Sequence, residues 1–339
     1  MDARIDRNLE RVRGLRGEAV GLLTGFVADT PEGSREMPEA LLRLGELKWE
    51  VEREEFVKRF AAWEKKPEPT RGEPPQPEYQ PSRDLFARVL KSYPWFGDYD
   101  LALYVDGFLA QEQGKLEESV ARFTRILEDY PKSRFRADAY MARGEVFFNA
   151  KNDYQAALAE YEEVLKFKQS DLYGLALFKS AWCLWRLNRS DEAVRRFVKV
   201  FEVTGNSGKG KSASERKQLD ELEGEALKYL VEVFTEDEKN TAQDMHRFLV
   251  RIGGDRFAVK IVKALAETFY EQAHYERGIE AYELLLRLDP ANAEAPDWVL
   301  AEARGYEQLE NYPKLKATYS RLLTDYSASG KWSKTQTDK

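Results

Sequence analysis

"ALYVDGFLAQEQGKLEESVARFTRILEDYP" (Ala102–Pro131), "AYMARGEVFFNAKNDYQAALAEYEEVL" (Ala139–Leu165) and "ALFKSAWCLWRLNRSDEAVRRFVKVF" (Ala176–Phe201) are three versions of one pattern. A small residue recurs at Gly107, Gly144 and Ala181, at spacings of 37 and 37. Each is followed by a short polar turn, "EQGKL", "AKNDY" or "LNRSD". A second periodic stretch opens near Ser119, Ala157 or Ala193 and continues through an aromatic, Phe123, Tyr161 or Phe197. It ends on an apolar pair, Ile126–Leu127, Val164–Leu165 or Val200–Phe201. Self-similarity at a fixed period of this size marks a stack of repeated supersecondary units.

The spacing within each copy is that of a helical hairpin. Apolar residues three and four apart keep one stripe of each helix buried. The small residue lets the two helices approach, and the aromatic fills the space between one hairpin and the next. A lone hairpin cannot cover its own apolar face, so stacking is required. Downstream, "IVKALAETFYEQAHYERGIEAYELLLRLDP" and "WVLAEARGYEQLENYPKLKATYSRLLTDY" repeat the scheme, with Ala266 and Ala303 again 37 apart. Between the two groups, a stretch around Ala226 reads as a degenerate hairpin. Upstream, Gly45 is the small residue of "MPEALLRLGELKWEVEREEFVKRFAAWE", and Ser82 to Tyr93 supplies the second helix. The intervening "KKPEPTRGEPPQPEYQPS" is an extended insertion, because proline lacks an N–H donor and restrains its neighbour. One extra residue lies near Lys151–Asn152 in the second copy.

The expected organisation follows. Residues 1–64 hold N-terminal helices and the first half of a divergent repeat, and 65–81 the proline-rich insertion. Residues 82–204 complete that repeat and add three units. A flexible Gly/Ser/Lys linker occupies 205–218, the degenerate hairpin 219–258, two further units 259–326, and a disordered tail 327–339.

On these residues the chain resembles the tetratricopeptide repeat (TPR) family. The period of 37 rather than 34, and Gln169 where proline is usual, depart from the family's pattern. The resemblance implies an all-α, right-handed superhelix of stacked hairpins, an α-solenoid. The links "YPKSRFRADAYMARGE" and "TPEGSREMPEALLRLGE" are similar to those of bacterial envelope members, Tol-Pal-associated proteins and outer-membrane assembly lipoproteins, and the proline-rich insertion with "PEALLRLGELKWE" resembles a gliding-motility envelope protein of myxobacteria. That likeness implies a periplasmic or cell-envelope scaffold; a cytoplasmic peptide sensor is the alternative.

Composition narrows the chemistry. The 339 residues carry a net charge of -7, which disfavours nucleic acid, whose phosphates call for concentrated Lys and Arg. No apolar run reaches the ~20 residues of a membrane span. The opening "MDARIDRNLERVRGLRGEAV" lacks the apolar core of a secretory signal, so a lipid anchor would need an upstream segment. One cysteine, Cys183, and two separated histidines, His246 and His274, offer no zinc spacing and no disulfide. No catalytic residue, metal site or cofactor is expected.

"GNSGKGKS", Gly205 to Ser212, satisfies the phosphate-loop pattern. There Lys211 would reach the phosphates and Ser212 would hold magnesium. The stretch before it belongs to a repeat helix instead of a strand, so a linker is the preferred reading and a nucleotide-dependent regulator the alternative.

TPR geometry, as the resemblance implies it, lines the inner face with first helices. Its partner-binding groove would carry Leu101, Tyr104 and Phe108, then Met141, Glu145 and Phe148, then Phe178, Trp182 and Trp185. In the last two units the same face carries Lys263, Glu267, Tyr270, Leu300, Arg304 and Glu307. An aromatic groove suits a hydrophobic or amphipathic protein segment. Covering of the same stripe by the superhelix's own ends or by the proline-rich insertion is the competing reading.

Overall fold

The computed structural model describes residues 2–206, 212–327 and 329–336. Among the described residues every substantial element is a helix: α1 (Asp2–Asp29), α2 (Met37–Glu64), α3 (Gln80–Ser92), α4 (Tyr99–Glu112), α5 (Leu116–Asp129), α6 (Arg136–Glu145), α7 (Tyr154–Val164), α8 (Tyr173–Arg186), α9 (Ser190–Asn206), α10 (Ala213–Thr235), α11 (Ala242–Ile252), α12 (Ala258–Glu271), α13 (Tyr275–Leu288), α14 (Ala295–Gln308) and α15 (Tyr312–Asp325). The chain forms two compact units, 1–172 and 173–339. Each is a short solenoid in which helices pack against their chain neighbours.

In the first unit, α2 pairs with α3, α4 with α5, and α6 with α7, while α1 packs on α2. Small residues set the close approaches. A Cβ on Gly144 would lie 2.6 Å from Cε1 of the Tyr161 ring, inside the closest contact that carbon atoms tolerate. The core runs through Met37, Leu41, Phe86, Val89, Ala102 and Leu109. A buried ionic clasp joins three helices. Asp106 of α4 accepts from Arg83 Nε of α3 at 2.8 Å and from Arg122 Nε of α5 at 2.7 Å. Both Arg83 and Asp106 are buried, and Arg83 also reaches Glu118 at 2.7 Å.

The proline-rich segment lies along the second half of α2. Trp63 Nε1 donates to the Gly72 carbonyl at 3.1 Å, the Arg71 guanidinium sits over the Trp63 ring, and Arg59 pairs with Glu78. The extra residue of the second copy is taken up by a π-turn, Val146–Ala150, at the end of α6. The widened turn absorbs one residue without breaking the helix.

In the second unit, α8 pairs with α9, α12 with α13, and α14 with α15. Helix α10 packs chiefly on α9, whereas α11 packs on α12 and α13. The expected degenerate hairpin is thus opened, its two helices serving different neighbours. The α9–α10 packing also places the third full repeat in the second unit, which the block 82–204 did not anticipate.

Two further expectations differ. Part of the linker 205–218 is helix: α9 runs to Asn206 and α10 begins at Ala213. A capping box starts α10, with Ser212 Oγ accepting from Glu215 N–H and the Glu215 carboxylate accepting from Ser212 N–H. The sequence "SASE" carried that signal. The described part of the expected disordered tail, 329–336, is docked on the second unit. Trp332 Nε1 donates to the Asn292 carbonyl at 2.9 Å, and Gln336 Nε2 donates to the Ala291 carbonyl at 2.7 Å.

Candidate functional site

The groove residues from the sequence divide between the units. In the first, helical periodicity places Leu101, Tyr104 and Phe108 along α4 at steps of three and four. Leu101 is half-buried against the core. Tyr104 stacks on Phe135, ring centroids 4.8 Å apart and 11° from parallel, and burial together with the Asp138 carboxylate raises its pKa. Phe108 is the exposed member, 36% accessible, and meets Trp49 of α2 edge-on at 5.9 Å. The Arg53 guanidinium covers the Trp49 ring at 5.9 Å. Trp49 and Arg53 were missed, although Trp49 stands four residues after the small Gly45, as Phe148 does after Gly144.

On α6 and its π-turn, the expected surface is partly structural. Met141 is buried, so it belongs to the core and not to a groove. Glu145 accepts from Tyr161 O–H at 2.7 Å and from Asn149 Nδ2 at 2.9 Å, which ties it to its own hairpin. Phe148 packs edge-on against Tyr154 at 5.4 Å.

In the second unit, Phe178 is likewise core, 5% accessible. It joins Trp182 and Trp185 of α8 in a cluster completed by Tyr229 of α10. Tyr229 lies 5.9 Å from Phe178, 4.6 Å from Trp182 and 6.2 Å from Trp185. Trp185 Nε1 donates to Glu236 Oε1 at 2.9 Å. Helix α10 therefore covers much of the aromatic stripe that the repeat pattern directs into the groove. The covering element is this neighbouring helix, and not the superhelix ends or the proline-rich insertion of the competing reading. The sequence carried the signal in Tyr229, three residues after the small Ala226.

The face assigned to the last two units is also mixed. Tyr270 is half-buried and donates to the Ala301 carbonyl at 2.8 Å, while Lys263 pairs with Glu294 at 2.6 Å. Glu267 remains exposed and borders a groove of about 390 Å³ between α10 and α12.

Of the phosphate-loop residues, 207–211, Lys211 among them, lie outside the described residues. The stretch before them is the helix α9, and Ser212, the magnesium ligand of that reading, serves as the cap of α10. Among the described residues, no group of three or more His, Cys, Asp or Glu side chains is placed to hold a metal. No described helix is long and apolar enough to cross a membrane.

Stacked antiparallel hairpins, closed by small residues and aromatic wedges, define a helical-repeat protein of the kind that presents helix faces to other proteins. In particular, residues 107–171 match the family described as Tetratricopeptide repeat. No curated protein matches it in sequence. Among solved structures, it is similar to the C-terminal part of a TPR repeat-containing protein from Cytophaga hutchinsonii. That match has 13% identity over 86% of this chain and 97% of the other, with a TM-score of 0.43. A tetratricopeptide repeat protein from Parabacteroides merdae matches with 13% identity over 71% of this chain and 84% of the other, with a TM-score of 0.34.

Proposed function

We propose that the chain is a non-enzymatic scaffold that holds a partner protein against the first helices of its repeats, within a bacterial cell-envelope complex. The observation that carries the interaction role is the Trp49–Phe108 pair. Two large aromatics from successive first helices meet edge-on, Phe108 is 36% accessible, and Arg53 covers the tryptophan. Aromatic and arginine side chains concentrate binding energy, because they bring large contact areas with few rotors to freeze. The envelope setting rests on the likeness of the inter-repeat links to those of envelope members. Outer-membrane assembly, a Tol-Pal-like role and gliding motility are the settings it suggests.

The test is capture of partners from lysate of the source cells by the wild-type chain and by Phe108→Ala combined with Trp49→Ala. The reading expects loss of the captured protein with the helical circular-dichroism signal retained. Retained capture would move the interface off this pair. Cell fractionation with an antibody tests the envelope setting, and a wholly cytoplasmic signal overturns it.

A further inference from the structure

In the second unit, α10 and α12 diverge enough to leave a groove of about 390 Å³ between them. Its apolar floor comes from Leu227 and Val231 of α10 and Ala264 of α12. Its rim carries Glu232, Glu267 and Glu271, all exposed. Among the described residues no cation forms an ion pair with any of the three. The one cation lining the groove, Lys228, lies with its ammonium 5.6 Å from the centre of the Tyr229 ring.

An apolar floor under unpaired like charges sets the chemistry of an occupant. An acidic segment is repelled. A neutral apolar segment strips water from the rim carboxylates and returns no hydrogen bond, which is costly. A metal ion is a poor fit, since the described carboxylates are not gathered into a metal-holding group. Lysine and arginine meet both demands, because their aliphatic stems lie on apolar surface while their charged ends reach outward. The α10 wall runs from Gly224 to Thr235, roughly 16 Å of helix, which matches about three turns of a partner helix.

We propose that this groove docks a basic amphipathic helix of a partner protein, apolar side chains on Leu227, Val231 and Ala264, and Lys or Arg ends on Glu232, Glu267 and Glu271. The proposal rests on the scaffold reading and adds a second surface to it.

The test uses the full chain and a fluorescein-labelled peptide of about 14 residues, with leucine and lysine at helical spacing, followed by anisotropy. A peptide with glutamate at every lysine position is the control. The lysine peptide binds, the glutamate peptide does not, and binding falls as salt is raised. Glu267→Lys with Glu271→Lys weakens binding roughly tenfold or more, whereas Glu10→Lys with Glu18→Lys, an equal charge change on α1, leaves it unaltered. Ala264→Trp, which fills the floor, weakens it as well. Should the lysine double variant not fold, Glu267→Gln with Glu271→Gln takes its place. No binding of the lysine peptide, equal loss in the α1 control, or indifference to Ala264→Trp overturns the proposal. The scaffold reading fails separately, when the wild-type chain captures no protein from lysate.

Discussion

Asn152 occupies the same left-handed turn position as Asn188 but reaches it one residue later. Asn188 has φ 59° and lies seven residues after Ala181, while Asn152 has φ 52° and lies eight after Gly144. The difference is the residue absorbed by the π-turn at Val146–Ala150. Gly114, Ala273 and Glu310 also have positive φ, each seven residues after its small residue. The turns at Gly114, Asn188, Ala273 and Glu310 close with an N–H five residues past its carbonyl, as when Lys115 N–H donates to the Ala110 carbonyl at 2.8 Å and His274 N–H to the Phe269 carbonyl at 2.7 Å; at Asn152 the Asp153 N–H reaches back six, to the Phe147 carbonyl at 2.9 Å. A β-carbon is strained in this conformation, and alanine has no side-chain polar group to compensate. Ala273→Gly, at φ 59°, is therefore expected to stabilise the second unit by about 1 kcal/mol, read as a higher denaturant midpoint with an unchanged slope. An unchanged or lower midpoint would count against the argument.

The small-residue positions are not interchangeable with other glycines. At Gly144 the added methyl group of alanine would meet the Tyr161 ring at 2.6 Å, and that ring is held by its hydrogen bond to Glu145. At Gly21 on α1 it would meet nothing within 4 Å. Gly144→Ala is expected to destabilise by about 1–3 kcal/mol through overpacking. Gly21→Ala is expected to be neutral or to stabilise by up to about 1 kcal/mol through helix propensity. Equal effects of the two in thermal denaturation would remove close approach as the explanation.

Tyr229 covers the tryptophan cluster, and its removal should be visible in tryptophan emission. Its ring is 4.6 Å from Trp182 and 6.2 Å from Trp185, and both indoles are half-buried. Tyr229→Ala is expected to red-shift the emission and to cost about 2–4 kcal/mol, as deletion of a packed aromatic does. Trp182→Ala with Trp185→Ala should cost stability too, instead of acting on partner capture alone. A double variant as stable as the wild type would restore the two indoles to an open groove.

The hairpins were legible because their rules are local. Gly107, Gly144 and Ala181 sit at fixed spacing, and the 3.6-residue period marks each buried stripe. The extra residue near Lys151 was legible as an insertion, though not its form, since a π-turn and a longer loop give the same count. Exposure was harder to read. Met141 and Phe178 share the period of Phe108, yet packing against the next hairpin decides which of them water reaches. Tyr229, three residues after the small Ala226, was a signal in the sequence, but the irregularity of its repeat hid which aromatics of α8 it would meet. The buried pairing of Asp106 with Arg83 links residues 23 apart across two hairpins, a distance over which periodicity says nothing.

Glu302 gives the second unit a pH dependence near neutrality. Its carboxylate lies on α14 with 2% of the side chain accessible, and the Arg321 guanidinium of α15 donates to it. Burial pushes its pKa up from 4.5 to about 7; Arg321 pulls the other way, Glu283 of α13 adds to the rise, and Arg287 of α13 opposes it. The folded state thus holds this proton more tightly than the unfolded chain does. The stabilisation is fully present below about pH 4.5 and is lost as pH rises through about 7. Glu302→Gln removes the titration while keeping an oxygen for Arg321. Denaturant unfolding at pH 5 and pH 8 should show the wild type losing on the order of 1–3 kcal/mol more than the variant across that interval. The same loss in both proteins would mean that Arg321 holds Glu302 ionised throughout, with burial the weaker effect.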